Sequence, residues 1–330
     1  MSDSIVRGER LGRGAPSLVA LLVRLLLPIA FLAVLTFFAV KAPGFLSSGN
    51  LTSLLLNNFV LLAIVAVGMT YAIAAGGIDL SVGTALDFSA LAFVVLLNAG
   101  HGFSVAVLGA LLAGSLTGLF NAGLIAGLGI SPFLATLGTL FIGTSVQQLL
   151  SEGGQPIYLA AAVRPGALVD PLLGIPLPLL LVALLALVYG VLLARGRFGR
   201  EVLALGTQPL VARYSGLCLS RVAALVFIAS AFASAVAGIV LTMSVNAYVP
   251  MSGNAFLMNA IGAVFIGTTL NRRGRANIAG TLLGVLFLNV TANGLLLIGW
   301  NFYWQQVATG ALILLVLVFS FISRRLVQAR

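Results

Sequence analysis

Charged residues are scarce in this chain of 330 residues, of which they make up 7%. A soluble domain carries about 25% charged residues, so a surface exposed to water cannot be built from so few. Hydrophobic residues make up 61% of the chain, and its mean hydropathy is +1.17. The composition therefore excludes a soluble globular domain and predicts that most of the surface faces lipid.

Residue types that perform catalysis or bind metals are equally scarce. His101 is the single histidine, Cys218 the single cysteine and Lys41 the single lysine. A histidine-based triad, a zinc site with several histidine or cysteine ligands and an internal disulfide are therefore excluded. The chain also lacks the Gly-x-x-x-x-Gly-Lys-Ser/Thr loop that binds nucleotide phosphates. We predict no catalytic residue, no metal site and no cofactor here, so a partner must supply the energy for any pumping.

Ten apolar runs are long enough to form membrane-spanning helices, because one span needs roughly 20 apolar residues. They predict an all-α polytopic membrane protein with one transmembrane domain at 18–330, preceded by a polar tail at 1–17. The predicted spans are 18–40, 51–75, 81–98, 103–127, 132–151, 176–195, 219–243, 254–270, 276–299 and 303–323.

Arginines near the ends of these runs predict the orientation in the membrane. They cluster in the N-terminal tail, at 195–221, at 272–275 and at the C-terminus, and ten spans place all four clusters on one side. The only lysine and arginine residues in the loops of the opposite side are Lys41 and Arg164. Positive residues favour the cytoplasm, so this arginine side and both termini are predicted to be cytoplasmic. The net charge of +10 thus indicates a lipid bilayer as partner and not a nucleic acid.

A short polar break separates the second and third spans, at Gly76-Gly77-Ile78-Asp79-Leu80-Ser81-Val82-Gly83. Adjacent glycines tolerate the left-handed backbone that ends a helix. Asp79 stands just before the next helix, where its carboxylate can accept hydrogen bonds from free backbone N–H groups. We therefore predict a tight structural turn formed by Gly76, Gly77, Asp79 and Gly83.

The longest loop on the arginine side, 196–220, has the punctuation of a short helix. Pro209 stands at a first-turn position, and Gly216 follows the end of the pattern. Leu210 and Tyr214 give this predicted helix an apolar side. Such a helix at the membrane surface is typical either of a simple connector or of a docking surface for a partner.

Polar side chains within the predicted spans are candidates for the lining of a translocation pathway. A carboxylate at the membrane centre costs roughly 2.5–3.5 kcal/mol on insertion scales, so Asp87 either lines a pathway or bonds to a neighbouring helix. Amides exchange hydrogen bonds with hydroxyl groups without charge, although they also bridge helices. Together they favour a neutral polar cargo. The pathway candidates are Asn57, Asn58, Asp87, Asn121, Gln147, Asn289 and Asn293, with Gln148 and Asn259 as further amides.

The ordered set of motifs resembles the sugar-type permeases of ATP-binding-cassette (ABC) importers over essentially the whole chain. Two positions depart from the family pattern. Leu210 stands where the family often has a carboxylate, and Asp87 stands where it usually has a small apolar residue. The motifs are the break from Val67 to Gly83, Ser131-Pro132-Phe133 with Ala135-Thr136-Leu137-Gly138, the loop from Phe198-Gly199-Arg200 to Ser215-Gly216, and Tyr303-Trp304-Gln305-Gln306.

The resemblance implies a permease subunit of the bacterial inner membrane that moves a simple sugar or a related polyol. Its implied partners are a cytoplasmic ABC ATPase that uses ATP, a second permease copy (identical or paralogous) and an extracytoplasmic substrate-binding protein. Nucleosides or branched-chain amino acids are alternative cargoes, and an ion-coupled secondary transporter is an alternative mechanism. The implied ATPase-coupling residues are Phe198, Gly199, Arg200, Gly206, Pro209, Ala212, Arg213, Ser215 and Gly216.

Overall fold

The computed structural model describes residues 18–161, 175–271 and 274–328, and these ranges are mostly helical. The α-helices are α1 (Leu18–Lys41), α2 (Ser48–Ser53), α3 (Val60–Ala74), α4 (Val82–Asn98), α5 (Phe103–Ala122), α6 (Pro132–Leu150), α7 (Leu177–Ala194), α8 (Arg197–Thr207), α9 (Pro209–Tyr214), α10 (Leu219–Val245), α11 (Asn254–Thr268), α12 (Ile278–Leu297) and α13 (Phe302–Gln328). Two π-helical segments, Leu54–Phe59 and Gly123–Gly127, continue α2 into α3 and extend α5. Two short strands, β1 (Ile157–Tyr158) and β2 (Ala247–Tyr248), pair antiparallel.

Every predicted span coincides with a helix. Within the described ranges, six helices are long and apolar enough to cross a membrane, and four shorter apolar helices accompany them. The prediction of an all-α polytopic membrane protein with about ten spans and a short helix in its longest arginine-side loop is therefore confirmed. The predicted tail at 1–17 and the arginines at 164, 272, 273 and 330 lie outside the described residues.

Helix α10 lies at the centre of the bundle and packs closely against α3, α4 and α5. A Cβ atom on Gly68 of α3 would lie 2.8 Å from the Ser230 carbonyl oxygen of α10. A Cβ atom on Gly114 of α5 would lie 2.7 Å from the Ala85 carbonyl oxygen of α4. Small residues thus let these backbones approach one another, as is common between membrane helices.

Two short helices, α4 and α11, begin inside the protein. Ser89, in the second turn of α4, donates a hydrogen bond of 2.7 Å to the Ala235 carbonyl. Ala235 lies beyond the middle of α10, whose 27 residues span roughly 40 Å. The first turn of α4 therefore starts near the middle of α10. Gly253, which precedes α11, lies against Gly83 at this level.

The break before α4 is consequently longer than the predicted tight turn. It begins on the arginine side at Gly76, whose φ is +81°. From there the chain runs back into the protein before α4 starts. The segment 246–253, here called the re-entrant segment, enters from the opposite side and leads into α11. These two irregular stretches approach each other where Gly83 meets Gly253.

Loops that the arginine pattern places on one side also meet in the structure. On the arginine side, a Cβ atom on Gly76 would lie 3.2 Å from the Cα atom of Gly206 in α8. On the opposite side, β1 pairs with β2, and Asn98 at the end of α4 donates a 2.9 Å hydrogen bond to the Tyr158 carbonyl. Both groupings agree with ten spans.

Candidate functional site

The break before α4 is organised by Asp79, which is fully buried. Its Oδ1 atom accepts hydrogen bonds from the Ser81 backbone N–H at 2.9 Å and from the Ser81 hydroxyl at 2.7 Å. Ser81 is the residue that precedes α4, so the carboxylate lies beside the positive end of the helix dipole. Gly77 fits tightly here, since a Cβ atom on it would lie 3.0 Å from Pro132.

Asn121 extends this arrangement into two further helices. Its Nδ2 group donates to the Ser81 hydroxyl at 2.7 Å, and its Oδ1 atom accepts from the Thr139 hydroxyl of α6 at 2.6 Å. Both Asn121 and Thr139 are buried. In this conformation Asn121 bridges helices, which is the second of the two roles that the sequence left open for amides.

Asp87 and Gln147 are buried against the re-entrant segment. The Oδ1 atom of Asp87 accepts from the Ser252 hydroxyl at 3.0 Å and from the Gly253 backbone N–H at 2.9 Å. The Oε1 atom of Gln147 accepts from the Met251 backbone N–H at 2.8 Å. Of the two alternatives stated for Asp87, the structure has the carboxylate bonded to a neighbouring element.

Six further amides line one cavity of about 260 Å³. It lies between the π-helical segment Leu54–Phe59 and the helices α11, α12 and α13. Its polar lining consists of amide groups and one hydroxyl, and its apolar lining comes from leucine, alanine and phenylalanine side chains. We call it the amide cavity, and its amides are Asn58, Asn259, Asn289, Asn293, Gln305 and Gln306.

Hydrogen bonding within the amide cavity leaves donors available. The Nδ2 group of Asn289 is buried and has no hydrogen-bond partner among the residues that the structure describes. One helical turn further on, Asn293 pairs with Asn50 through two hydrogen bonds of 2.9 Å. Asn57, by contrast, is exposed, bonds to Ser53 at 3.1 Å and does not line the cavity.

The lining of the amide cavity defines what it can bind. Amides both donate and accept hydrogen bonds, and none of the described residues that line the cavity has an ionisable side chain. A buried unpaired donor such as Asn289 Nδ2 costs free energy unless a partner is supplied. A small neutral molecule with several hydroxyl groups is the partner that these groups fit best.

Sequence reasoning located only part of this set. Asn289 and Asn293 are four residues apart, so they share one face of α12, and this spacing was visible. Gln305 and Gln306 were noted only for their family resemblance. The available signal was their position near the start of α13, directly after the aromatic Trp304.

The loop 196–220 forms a second candidate site, on the arginine side. Phe198 stacks on Tyr71 with ring centroids 5.8 Å apart, and Gly206 packs on the backbone of Ala74 and Ala75. Helix α8 is therefore seated on the end of α3. Gly199 is likewise buried against the end of α7.

Helix α9 presents an exposed apolar surface. Leu210, Val211 and Tyr214 are exposed by 69%, 57% and 89% of their areas. Pro209 begins the helix as predicted, and Gly216 follows its end with φ of +80°. Arg213 in its last turn is exposed, whereas Ala212 is buried. We call the exposed side chains of α9 the α9 face.

Neither candidate site contains a metal centre. Across the part of the chain that the structure describes, no group of three or more histidine, cysteine, aspartate or glutamate side chains could hold a metal ion. Among the described residues there is one ion pair, between Arg197 and Glu201 of α8, with 3.0 Å from Arg197 Nε to Glu201 Oε1.

Comparisons with known proteins identify a family that this chain matches. The family model described as "Branched-chain amino acid transport system / permease component" matches residues 51–317. The autoinducer 2 import system permease protein LsrD of Yersinia pseudotuberculosis is 36% identical over 272 residues, which cover 81% of this chain and 82% of that protein. The LsrD proteins of Yersinia enterocolitica and Yersinia pestis are 35% identical over the same shares. No solved structure matches the chain.

Proposed function

Because the chain belongs to the family of branched-chain amino acid transport system permease components, we propose that it is the membrane-spanning permease subunit of an ATP-driven importer for a simple sugar or a related polyol. It is a transport subunit and not an enzyme. The proposal for the cargo rests on the amide cavity, where the lining residues that the structure describes offer neutral donors and acceptors and no charge.

The same lining argues against a branched-chain amino acid as cargo, and the buried carboxylates argue against ion coupling. A branched-chain amino acid carries a carboxylate and an ammonium group, and burying these charges without ionic partners is costly. The described lining of the cavity offers no such partner. An ion-coupled transporter would need several intramembrane carboxylates exposed to an ion path. Asp79 and Asp87 are instead both fully buried, and each accepts its hydrogen bonds through Oδ1, while neither Oδ2 atom has a hydrogen-bond partner among the described residues. The relatives named for autoinducer 2 import make that compound the first to test beside sugars.

Three partners follow from this function. A cytoplasmic ABC ATPase would dock on the α9 face, where exposed Leu210, Val211 and Tyr214 provide apolar area and Arg213 provides charge. A second permease copy would complete the pathway, and an extracytoplasmic binding protein would deliver cargo to the opposite side. The arginine side would then face the cytoplasm of a bacterial inner membrane, with both termini inside.

The described contacts suggest how the chain would respond to ATP. Motion of the docked ATPase would move α9 and with it α8. Since Gly206 of α8 rests on Ala74 and Gly76, this motion would reach the end of α3 and the break before α4. Cargo would meanwhile exchange hydrogen bonds with the amide cavity, so that it loses water without meeting a charge.

Transport by the reconstituted assembly tests the cargo assignment. The permease, its ATPase and its binding protein are placed in proteoliposomes, and ATP-dependent uptake of labelled sugars, nucleosides, leucine and autoinducer 2 is compared. We expect uptake of a hydroxylated neutral compound only. Asn289→Leu should reduce this uptake at least tenfold, while Asn57→Leu, with its side chain outside the cavity, should retain more than half. Concentration of cargo by the permease without ATP would overturn the proposal.

Co-purification tests the docking surface separately. Tyr214→Ala and Leu210→Asp should each reduce the amount of ATPase that co-purifies with the permease in detergent. The exposed Leu149 of α6, on another face of the protein, provides the control substitution Leu149→Ala. Full retention of the ATPase by both α9 variants would place the docking surface elsewhere.

A further inference from the structure

We propose that Asp87 is a positioning residue that fastens the re-entrant segment to α4, and that this connection couples the binding-protein side of the permease to its ATPase side. The inference rests on the proposed function as an importer subunit. The role assigned to Asp87 is mechanical and involves no contact with cargo.

Asp87 holds the point where the re-entrant segment becomes a helix. Its Oδ1 atom accepts both the Ser252 hydroxyl and the Gly253 backbone N–H, and Gly253 is the residue that precedes the 15-residue helix α11. A carboxylate at this position also interacts favourably with the helix dipole. Two hydrogen bonds and a dipole thus converge on one side-chain oxygen of α4.

The re-entrant segment needs such a fastening because its backbone is strained. Asn246, with φ of +54°, is the left-handed residue that ends α10, a position that asparagine commonly takes. Met251, by contrast, has φ of +62°, a value that is uncommon for residues other than glycine. Conformations of this kind persist only where the surroundings hold them. Gln147 of α6 holds Met251 through its backbone N–H at 2.8 Å, and Asp87 holds the next two residues.

Towards the opposite side, the segment is joined to the surface. Its residues Ala247 and Tyr248 pair with Tyr158 and Ile157. Asn98 of α4 also holds β1 in place, since it donates to the Tyr158 carbonyl at 2.9 Å and accepts from the Ala160 N–H, just after β1, at 3.0 Å. Tyr158 itself is mostly exposed. A protein bound at this surface would therefore contact β1, which pairs with β2, the strand that leads to the residues held by Asp87.

Towards the arginine side, the connection continues through the start of α4. Gly253 lies against the backbone of Gly83, and Ser81, two residues earlier, is bonded to Asp79. The break that contains Asp79 begins at Gly76, which lies against Gly206 of α8. A displacement of the re-entrant segment would thus be transmitted through α4 and the break to the helix that leads into the α9 face.

The test measures coupling and not only activity. The complete assembly is placed in nanodiscs, and its ATPase rate is measured with and without cargo-loaded binding protein. Asp87→Leu removes the acceptor, so we expect the ratio of stimulated to basal rate to fall at least fivefold. Asp87→Asn retains an oxygen that can accept both hydrogen bonds and should keep most of the ratio. Ser252→Ala removes one donor and should give an intermediate ratio.

Ser89→Ala is the matched control. Ser89 is also buried in α4 and makes an interhelical hydrogen bond, but to Ala235 and not to the re-entrant segment. Its loss should leave the ratio near that of the wild type. An unchanged ratio in Asp87→Leu, an equal loss in Asp87→Asn, or an equal loss in Ser89→Ala would each overturn the inference.

Hydrogen exchange separates failure of the inference from failure of the proposed function. A wild-type assembly that binding protein does not stimulate would contradict the importer function. The attachment of the re-entrant segment to α4 can still be measured in that case, by hydrogen exchange of the backbone amides at 246–253. Asp87→Leu and Ser252→Ala should each accelerate this exchange about tenfold, whereas Ser89→Ala should leave it unchanged. Unchanged exchange in both of the first two variants would overturn the role of Asp87.

Discussion

Asn50 and Asn293 exchange a reciprocal pair of hydrogen bonds, each 2.9 Å long, that ties α2 to the C-terminal part of α12. Asn50 also donates to the Phe45 carbonyl at 2.8 Å. Because Asn293 lines the amide cavity and Asn50 does not, the pair lies at the edge of the cavity.

This pairing predicts an interaction energy that can be measured. Asn50→Ala, Asn293→Ala and the double variant form a double-mutant cycle, with thermal or denaturant unfolding in detergent as the measurement. Interhelical hydrogen bonds in a membrane protein contribute about 0.6 kcal/mol each, so two of them should give a coupling of about 1 kcal/mol. Strictly additive effects would contradict the pairing. Uptake should fall more in Asn293→Ala than in Asn50→Ala, since only Asn293 faces the cavity.

The close packing of α8 on the end of α3 predicts that Gly206 tolerates no side chain. A Cβ atom at this position would clash with the Ala74 carbonyl oxygen, so Gly206→Ala should push α8 away from α3. We expect uptake to fall at least tenfold, with stability reduced by about 1–3 kcal/mol, the usual cost of overpacking. ATP-driven uptake and unfolding are the measurements.

Gly138 provides the control for Gly206. It lies in α6, and a Cβ atom on it would meet nothing within 4 Å. Gly138→Ala should therefore leave uptake unchanged and raise helix stability by up to about 1 kcal/mol. Equal losses from both substitutions would show that the seat of α8 is not responsible.

The single cysteine allows a direct test of orientation. Cys218 is exposed in the loop between α9 and α10, on the arginine side. In intact cells a membrane-impermeant maleimide should not label it, whereas inverted vesicles should be labelled. Tyr158→Cys in a Cys218→Ser background should show the reverse pattern, because Tyr158 is exposed on the opposite side. Labelling of Cys218 from outside would invert the predicted topology.

The spans were predictable because they depend on local composition. Each apolar run of the sequence is a helix, and the boundaries of one short run agree closely: the sequence predicts 81–98 for α4, which runs from Val82 to Asn98. The bond from Asp79 to Ser81 is equally local, at a separation of two residues. Such features need no knowledge of the tertiary structure.

Features that depend on distant residues could not be predicted in this way. Asp87 finds its partners 165 and 166 residues further along the chain, so the sequence left its role open between two alternatives. The starting depth of α4 was hidden too, since it depends on packing against α10. Of the seven pathway candidates, the structure brings Asn58, Asn289 and Asn293 together, and nothing local distinguishes these from the bridging Asn121.

The contact between Gly83 and Gly253 gives a final prediction. A Cβ atom on Gly83 would lie 2.8 Å from the Gly253 carbonyl carbon and 3.0 Å from Asn254 Oδ1, and one on Gly253 would clash with the Gly83 backbone. Gly83→Ala and Gly253→Ala should each separate the first turns of α4 and α11 and lower stability by about 1–3 kcal/mol. Because either change alone already separates these two helix starts, the double variant should cost less than the sum of the two single variants. Full additivity in denaturant unfolding would mean that the two helix starts do not touch.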